Sequence, residues 1–173
     1  WRCFVYNCQQ DWRNTKIDRA RAGYDYFMPL DGTFRDNVTL QIKNGPMDFQ
    51  VREPVSPLIG GLQHTHIAVE FQIAQEYTGQ QRHVCYLMPW FRQILDFDMH
   101  TRPNGDAHVR ALIQGAGNGM VAVTNTGNDE NWTGHDLAAA NLYGFGRLSY
   151  DTTLDPAVIA GEWLRLTFGI AWR

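Results

Sequence analysis

Val38-Thr39-Leu40-Gln41-Ile42-Lys43, followed at once by Asn44-Gly45-Pro46, is a β-branched, apolar run closed by turn-forming residues. It predicts a strand over residues 38–43. Upstream, residues 18–27 carry a helical pattern stopped by Pro29 and Asp31-Gly32, and residues 1–7 (WRCFVYN) read as an earlier strand. Downstream, a long loop with Pro54, Pro57 and Gly60-Gly61 leads to a third strand over 66–74. Residues 83–97 then resemble an amphipathic helix with Pro89 as a local fault. After the turn at Pro103-Asn104-Gly105, residues 107–114 predict another helix, and Gly115-Ala116-Gly117-Asn118-Gly119 precedes a fourth strand over 120–125. Two helical patterns follow, over 134–148 and 155–168, with Pro156 at a favourable first-turn position. Strands and helices alternate at about 30 to 50 residues per unit, which predicts parallel βαβ units in a doubly wound sheet or a barrel. Four units are half of an eight-unit (β/α)8 TIM barrel, whose complete form needs about 250 residues.

Composition narrows the class. The chain has 173 residues, 44% hydrophobic and 19% charged, with a formal net charge of −3. That is enough for one domain with a core, and it carries neither a basic nucleic-acid face nor an acidic tail. No apolar run approaches the roughly 18 residues of a membrane span. Trp1 opens the chain inside an apolar run, which predicts a single partial domain over 1–173, part of a longer protein. Cys3, Cys8 and Cys85 lack metal-ligand spacing and read as buried free thiols, with Cys85 in a helix.

In barrels, functional groups gather past the carboxyl ends of the strands. The second strand delivers Lys43 and then Asp48, the third delivers Glu76, and the fourth leads to Asp129-Glu130-Asn131-Trp132. Asp48 and Glu76 thus leave neighbouring strands on one rim, and paired carboxyl groups equip glycoside hydrolysis. Either one alone reads more readily as a solvated loop acid; placement on adjacent exits brings the pair to even weight. Lys43 suits an anionic substrate group, but spacing alone favours an exposed side chain. Trp132 is the best placed of the six Trp for stacking on a sugar; for Trp90 and Trp163 core packing is the expectation. His64 and His66 lack a third ligand, so no metal is expected. The glycine-rich stretch lacks the Lys-Ser/Thr of a phosphate loop and reads as a turn. Of two glycosylation sequons, Asn37 enters a predicted buried strand and Asn131 lies at the predicted rim, so neither is a comfortable glycan site.

WRCFVYN, QIKNGPMDFQVREPVSPL, EFQIAQEYTGQ, DENWTGH and NLYGFGRL together resemble the α-glucuronidases of glycoside hydrolase family 67, over nearly the whole chain. The resemblance implies the second half of a TIM-barrel catalytic domain. The activity it implies is removal of glucuronic acid, or its 4-O-methyl ether, from xylan-derived oligosaccharides, with inversion and without metal or cofactor. It assigns Asp48 and Glu76 to the water-activating base role and Lys43 to the substrate carboxylate. Arg2 is assigned to share that contact, less directly because the intervening loop varies in length. The general acid would be a glutamate of an earlier strand, so the 173 residues alone are expected to be inactive. A carboxylate base must stay ionised near neutral pH, and a nearby cation helps by lowering its pKa.

Two alternatives stay open: a retaining glycosidase with Glu76 as nucleophile, and a non-catalytic sugar-binding half-barrel. The expected partner is a glucuronoxylan-derived oligosaccharide, with neither nucleic acid nor membrane, and the full-length enzyme could be a homodimer. The wording of the motifs implies a bacterial, cytoplasmic protein, with secretion as the alternative.

Overall fold

The computed structural model describes residues 1–5, 11, 13–14, 16, 19–47, 53–75, 79, 82–124, 126–128, 130–131 and 133–169. In chain order the elements are α1 (Arg19–Phe27), β1 (Thr39–Lys43), α2 (Pro57–Gly61), β2 (His66–Gln72), α3 (Met88–Leu95), α4 (Val109–Leu112), β3 (Gly119–Val123), α5 (Ala139–Tyr150) and α6 (Pro156–Phe168). The strands form one sheet in the order β1-β2-β3. β1 and β2 are parallel, in a register that sets Gln41 against Ala68 and Lys43 against Glu70. The predicted opening strand appears as a short parallel pairing on β1. Arg2 bridges Gln41, Cys3 N–H donates to the Gln41 carbonyl at 2.7 Å, and Gln41 N–H donates to that of Trp1 at 2.7 Å. An α/β chain with a small parallel sheet is therefore established.

Several boundaries differ from the sequence expectation, each for a local reason. The long loop after β1 holds α2, nucleated by Pro57 in its first turn, where a missing N–H has no helical partner to lose. Pro89 is not a fault inside a helix but the second residue of one, so α3 starts at Met88 and 83–87 stay irregular. Residues 107–108 are held outside α4 because His108 bridges Asp98 in antiparallel fashion and the Ala107 carbonyl accepts from Met99 N–H at 3.0 Å. The stretch before α5 is a turn in which the Thr133 hydroxyl donates to Asn131 Oδ1 at 2.8 Å and Gly134 adopts φ +96°. Asn37 is exposed in the turn before β1, not inside a buried strand. Cys3 is buried and free, and burial pushes its thiol up to about 12. Cys85 is free but exposed and lies outside the helix; Cys8 lies outside the described residues.

The chain divides into two compact units. In the first, 1–71 with 96–121, alternation along the strands makes two faces. Leu40, Ile42, Ile67, Val69 and Phe71 are at most 3% exposed and form an apolar face. Gln41, Lys43 and Glu70 alternate onto the other. Leu58, Ile59, Val109, Leu112 and Ile113 add buried apolar groups from α2 and the α4 region. Asn118 of the glycine-rich turn accepts from Ile67 N–H at 2.9 Å and donates to the Leu112 carbonyl at 2.8 Å, so that stretch ties the start of β2 to the end of α4.

Asp31 organises the entry to β2. Its carboxylate accepts from Gln63 N–H at 2.9 Å, from His64 N–H at 3.0 Å and from the Thr65 hydroxyl at 2.9 Å. Partial burial alone would raise its pKa, but these hydrogen bonds, with His64 adding a smaller attraction, hold it below the ordinary carboxylate value. A depressed native pKa contributes stability that is present above the unfolded value of about 3.9 and is lost as pH falls through the native value. Asp31→Ala is therefore expected to lower the melting temperature near pH 7 and to flatten its decline between about pH 5 and 3. Thermal melts of the full-length protein across that range check both effects.

The second unit is 72–95 with 122–173. α6 begins at Asp155, whose carboxylate accepts from Ala157 N–H at 2.6 Å, and ends at Gly169 in the left-handed region, φ +66°. α5 and α6 are tied by Arg147, which donates to Glu162 at 2.8 Å. Asn141, 2% exposed, accepts from Leu87 N–H at 2.8 Å and donates to the Cys85 carbonyl at 2.7 Å. That clamp fixes the segment entering α3. Gly144 permits the approach of Met88, since a Cβ there would lie 2.5 Å from Met88 Cγ.

Candidate functional site

The candidate site lies in the first unit, on the polar face of the sheet. Lys43 is the last residue of β1 and is 3% exposed. This overturns the exposure that spacing alone favoured. Alternation put Lys43 opposite the apolar face, and spacing could not show that this second face is also covered. Its ammonium sits 3.8 Å from the centre of the Phe4 ring, a distance at which the ring's negative face stabilises a cation.

The chain leaving Lys43 is held from both sides. Asn44 N–H donates to the Glu70 carbonyl at 2.8 Å, and the Asn44 carbonyl accepts from Ser56 N–H at 2.8 Å. Met47 N–H donates to Glu53 Oε2 at 2.8 Å. Glu53 is 8% exposed and fits under the turn because position 45 has no side chain: a Cβ there would lie 2.1 Å from Glu53 Oε2. Lys43, Gly45 and Pro46 border a small, partly open cavity of about 30 Å³ together with Tyr24, Ile42 and Leu58.

Arg2 is described too, and its partner was not foreseen. Its Nε donates to Glu70 Oε2 at 3.0 Å and its Nη2 to Oε1 at 2.7 Å. Gln41 Nε2 donates to the same carboxylate. The Glu70 side chain is fully buried while 42% of the Arg2 side chain is exposed. Sequence reasoning missed Glu70 although a signal was there, a single acid inside the apolar run Ile67-Ala68-Val69-Glu70-Phe71. Asp48, Glu76 and Trp132 lie outside the described residues. Among the described residues, no group of three His, Cys, Asp or Glu side chains is placed to hold a metal ion.

Comparison with known proteins matches residues 1–132 to the glycosyl hydrolase family 67 middle domain and 133–172 to the glycosyl hydrolase family 67 C-terminus. The chain is 47% identical to a "Probable alpha-glucuronidase A" of Aspergillus fumigatus over 181 residues, covering 100% of the chain and 21% of that relative. It is 47% identical to a protein of the same name from Neosartorya fischeri, with the same coverage. It is 45% identical to the "Alpha-glucuronidase A" of Aspergillus tubingensis, covering 98% of the chain and 21% of the relative. The chain thus spans about a fifth of the length of these relatives. All three are fungal, which overturns the bacterial, cytoplasmic expectation. That expectation rested on motif wording alone.

Proposed function

Since this chain belongs to glycoside hydrolase family 67, we propose that it is part of the catalytic domain of an α-glucuronidase. The substrate is an oligosaccharide from glucuronoxylan, carrying glucuronic acid or its 4-O-methyl ether in α-1,2 linkage. The observation that carries this reading is the placing of two cations, Arg2 and Lys43, on the polar face of the sheet. Lys43 lies in register with Glu70, and Arg2 is bound to the Glu70 carboxylate. Two cations on one face suit a sugar that bears a carboxylate. A neutral sugar would gain no charge pairing from them, which is a source of specificity.

Residues 1–132, which match the family's middle domain, belong in this reading to the second half of a TIM barrel. Supporting this are the parallel pairing of Arg2 with Gln41 and of β1 with β2, and the consecutive strand order. In a barrel of this kind the polar face turns inward and the apolar face meets the helices. Asp48 follows β1 and Glu76 follows β2, so both issue from the same end of adjacent strands. There they orient and deprotonate the attacking water. Trp132 offers a stacking surface to the sugar, and the general acid comes from an earlier strand of the barrel. Inversion requires room for water between acid and base, a separation of roughly 6.5–9.5 Å.

The test is an NMR time course of the full-length protein acting on an aldouronic acid. The expected first product is the β-anomer of the free uronic acid. The α-anomer appearing first would discard inversion, and no release of uronic acid would discard the activity.

A further inference from the structure

We infer that Glu70 is a positioning residue, one that orients Arg2 and braces the exit of Lys43 for the carboxylate of the substrate. The inference rests on the function proposed above and adds to it a residue with no role there.

A carboxylate with no solvent exposure is costly unless donors compensate it. Glu70 receives three from the same face of the sheet, two from the Arg2 fork and one from Gln41. The two-pronged contact fixes the plane of the guanidinium as well as its position. Arg2 is thereby held rigid at one edge while 42% of its side chain remains exposed. The main chain of Glu70 acts on the other cation. Its carbonyl accepts from Asn44 N–H at 2.8 Å, directly after Lys43, and so braces the end of β1. Glu70 therefore orients one cation through its carboxylate, while its carbonyl closes the main-chain ladder directly after the other.

The charge balance points the same way. Arg2 and Lys43 repel when brought together, and Glu70 offsets one of the two charges. A Glu70 that served only to stabilise the sheet would affect folding and leave anion selectivity alone. A positioning Glu70 moves uronate affinity ahead of stability.

The experiment uses the full-length protein, with aldouronic acid as substrate, glucuronate as a charged inhibitor and xylobiose as a neutral one. For Glu70→Gln, KM and the glucuronate inhibition constant are expected to rise about tenfold, with kcat within about threefold and xylobiose inhibition unchanged. A folded Glu70→Gln protein with wild-type glucuronate inhibition overturns the proposal. Should that variant fail to fold, Gln41→Met removes one donor from the same carboxylate and keeps the Arg2 pair. Its glucuronate constant is expected to rise about threefold, and an unchanged value overturns the proposal equally. A wild-type protein that neither cleaves aldouronic acid nor binds glucuronate overturns the proposed function, and this inference with it. An active wild type beside an indifferent Glu70→Gln overturns this inference alone.

Discussion

In the full-length protein, Asp48→Ala and Glu76→Ala are each expected to lower turnover of aldouronic acid by about 10²–10⁴-fold, the range that a positioned general base supplies. Substrate affinity should change little if, as proposed, these carboxylates act on water while Lys43 and Arg2 hold the sugar. A sharper signature follows from their shared task. If both act on one water, the double variant should be scarcely slower than the worse single one, since residues acting as a unit are strongly non-additive. Losses that multiply would indicate two separate roles, and an unchanged rate in either single variant would remove that residue from the chemistry. Single-turnover rates with saturating enzyme, beside calorimetric binding of glucuronate, separate the two quantities.

The largest expected effect on stability lies in the second unit, at Asn141→Ala. Asn141 is 2% exposed and satisfies two backbone groups, Leu87 N–H and the Cys85 carbonyl. Removing the amide leaves both unpaired, and each orphaned buried polar group costs about 1–3 kcal/mol. Partial access of water to the exposed Cys85 moderates one of them, so a loss of about 2–4 kcal/mol is expected. Asn141→Asp keeps the acceptor for Leu87 but loses the donor, and sets a carboxylate against the Cys85 carbonyl. It should therefore be no milder. Hydrogen exchange read at peptides covering 82–95 checks this locally: protection at Leu87 should fall in both variants. If it stays at the wild-type level, the clamp does not hold α3 in place.

How far the sequence could be read depends on the range of the interaction involved. β1 was legible because a strand run and its Asn44-Gly45-Pro46 stop are local. So was α6, where Asp155 and Pro156 stand together at its start. The short α2 was missed because a loop rich in Pro and Gly gives no periodicity to count. α3 was begun too early because the apolar pattern runs on upstream of Pro89. In the site, Lys43 was found, but its burial was not. The pairing of Arg2 with Glu70 spans 68 positions of sequence, and only the sheet register brings them together. The roles given to Asp48 and Glu76 came from resemblance, since spacing placed two acids on one rim and could go no further.

The division of the sheet into a polar and an apolar face has a consequence for how the chain finds its register. A slip of β2 by one position against β1 would turn Glu70 toward Ile42 and the apolar layer, while Val69 and Phe71 moved to the opposite side. Misaligned pairings would then carry a stranded charge from the moment they formed, and they would come apart before the rest of the chain had built upon them. The charged row thus acts as a proofreading mark during assembly, rejecting wrong alignments long before any sugar is present.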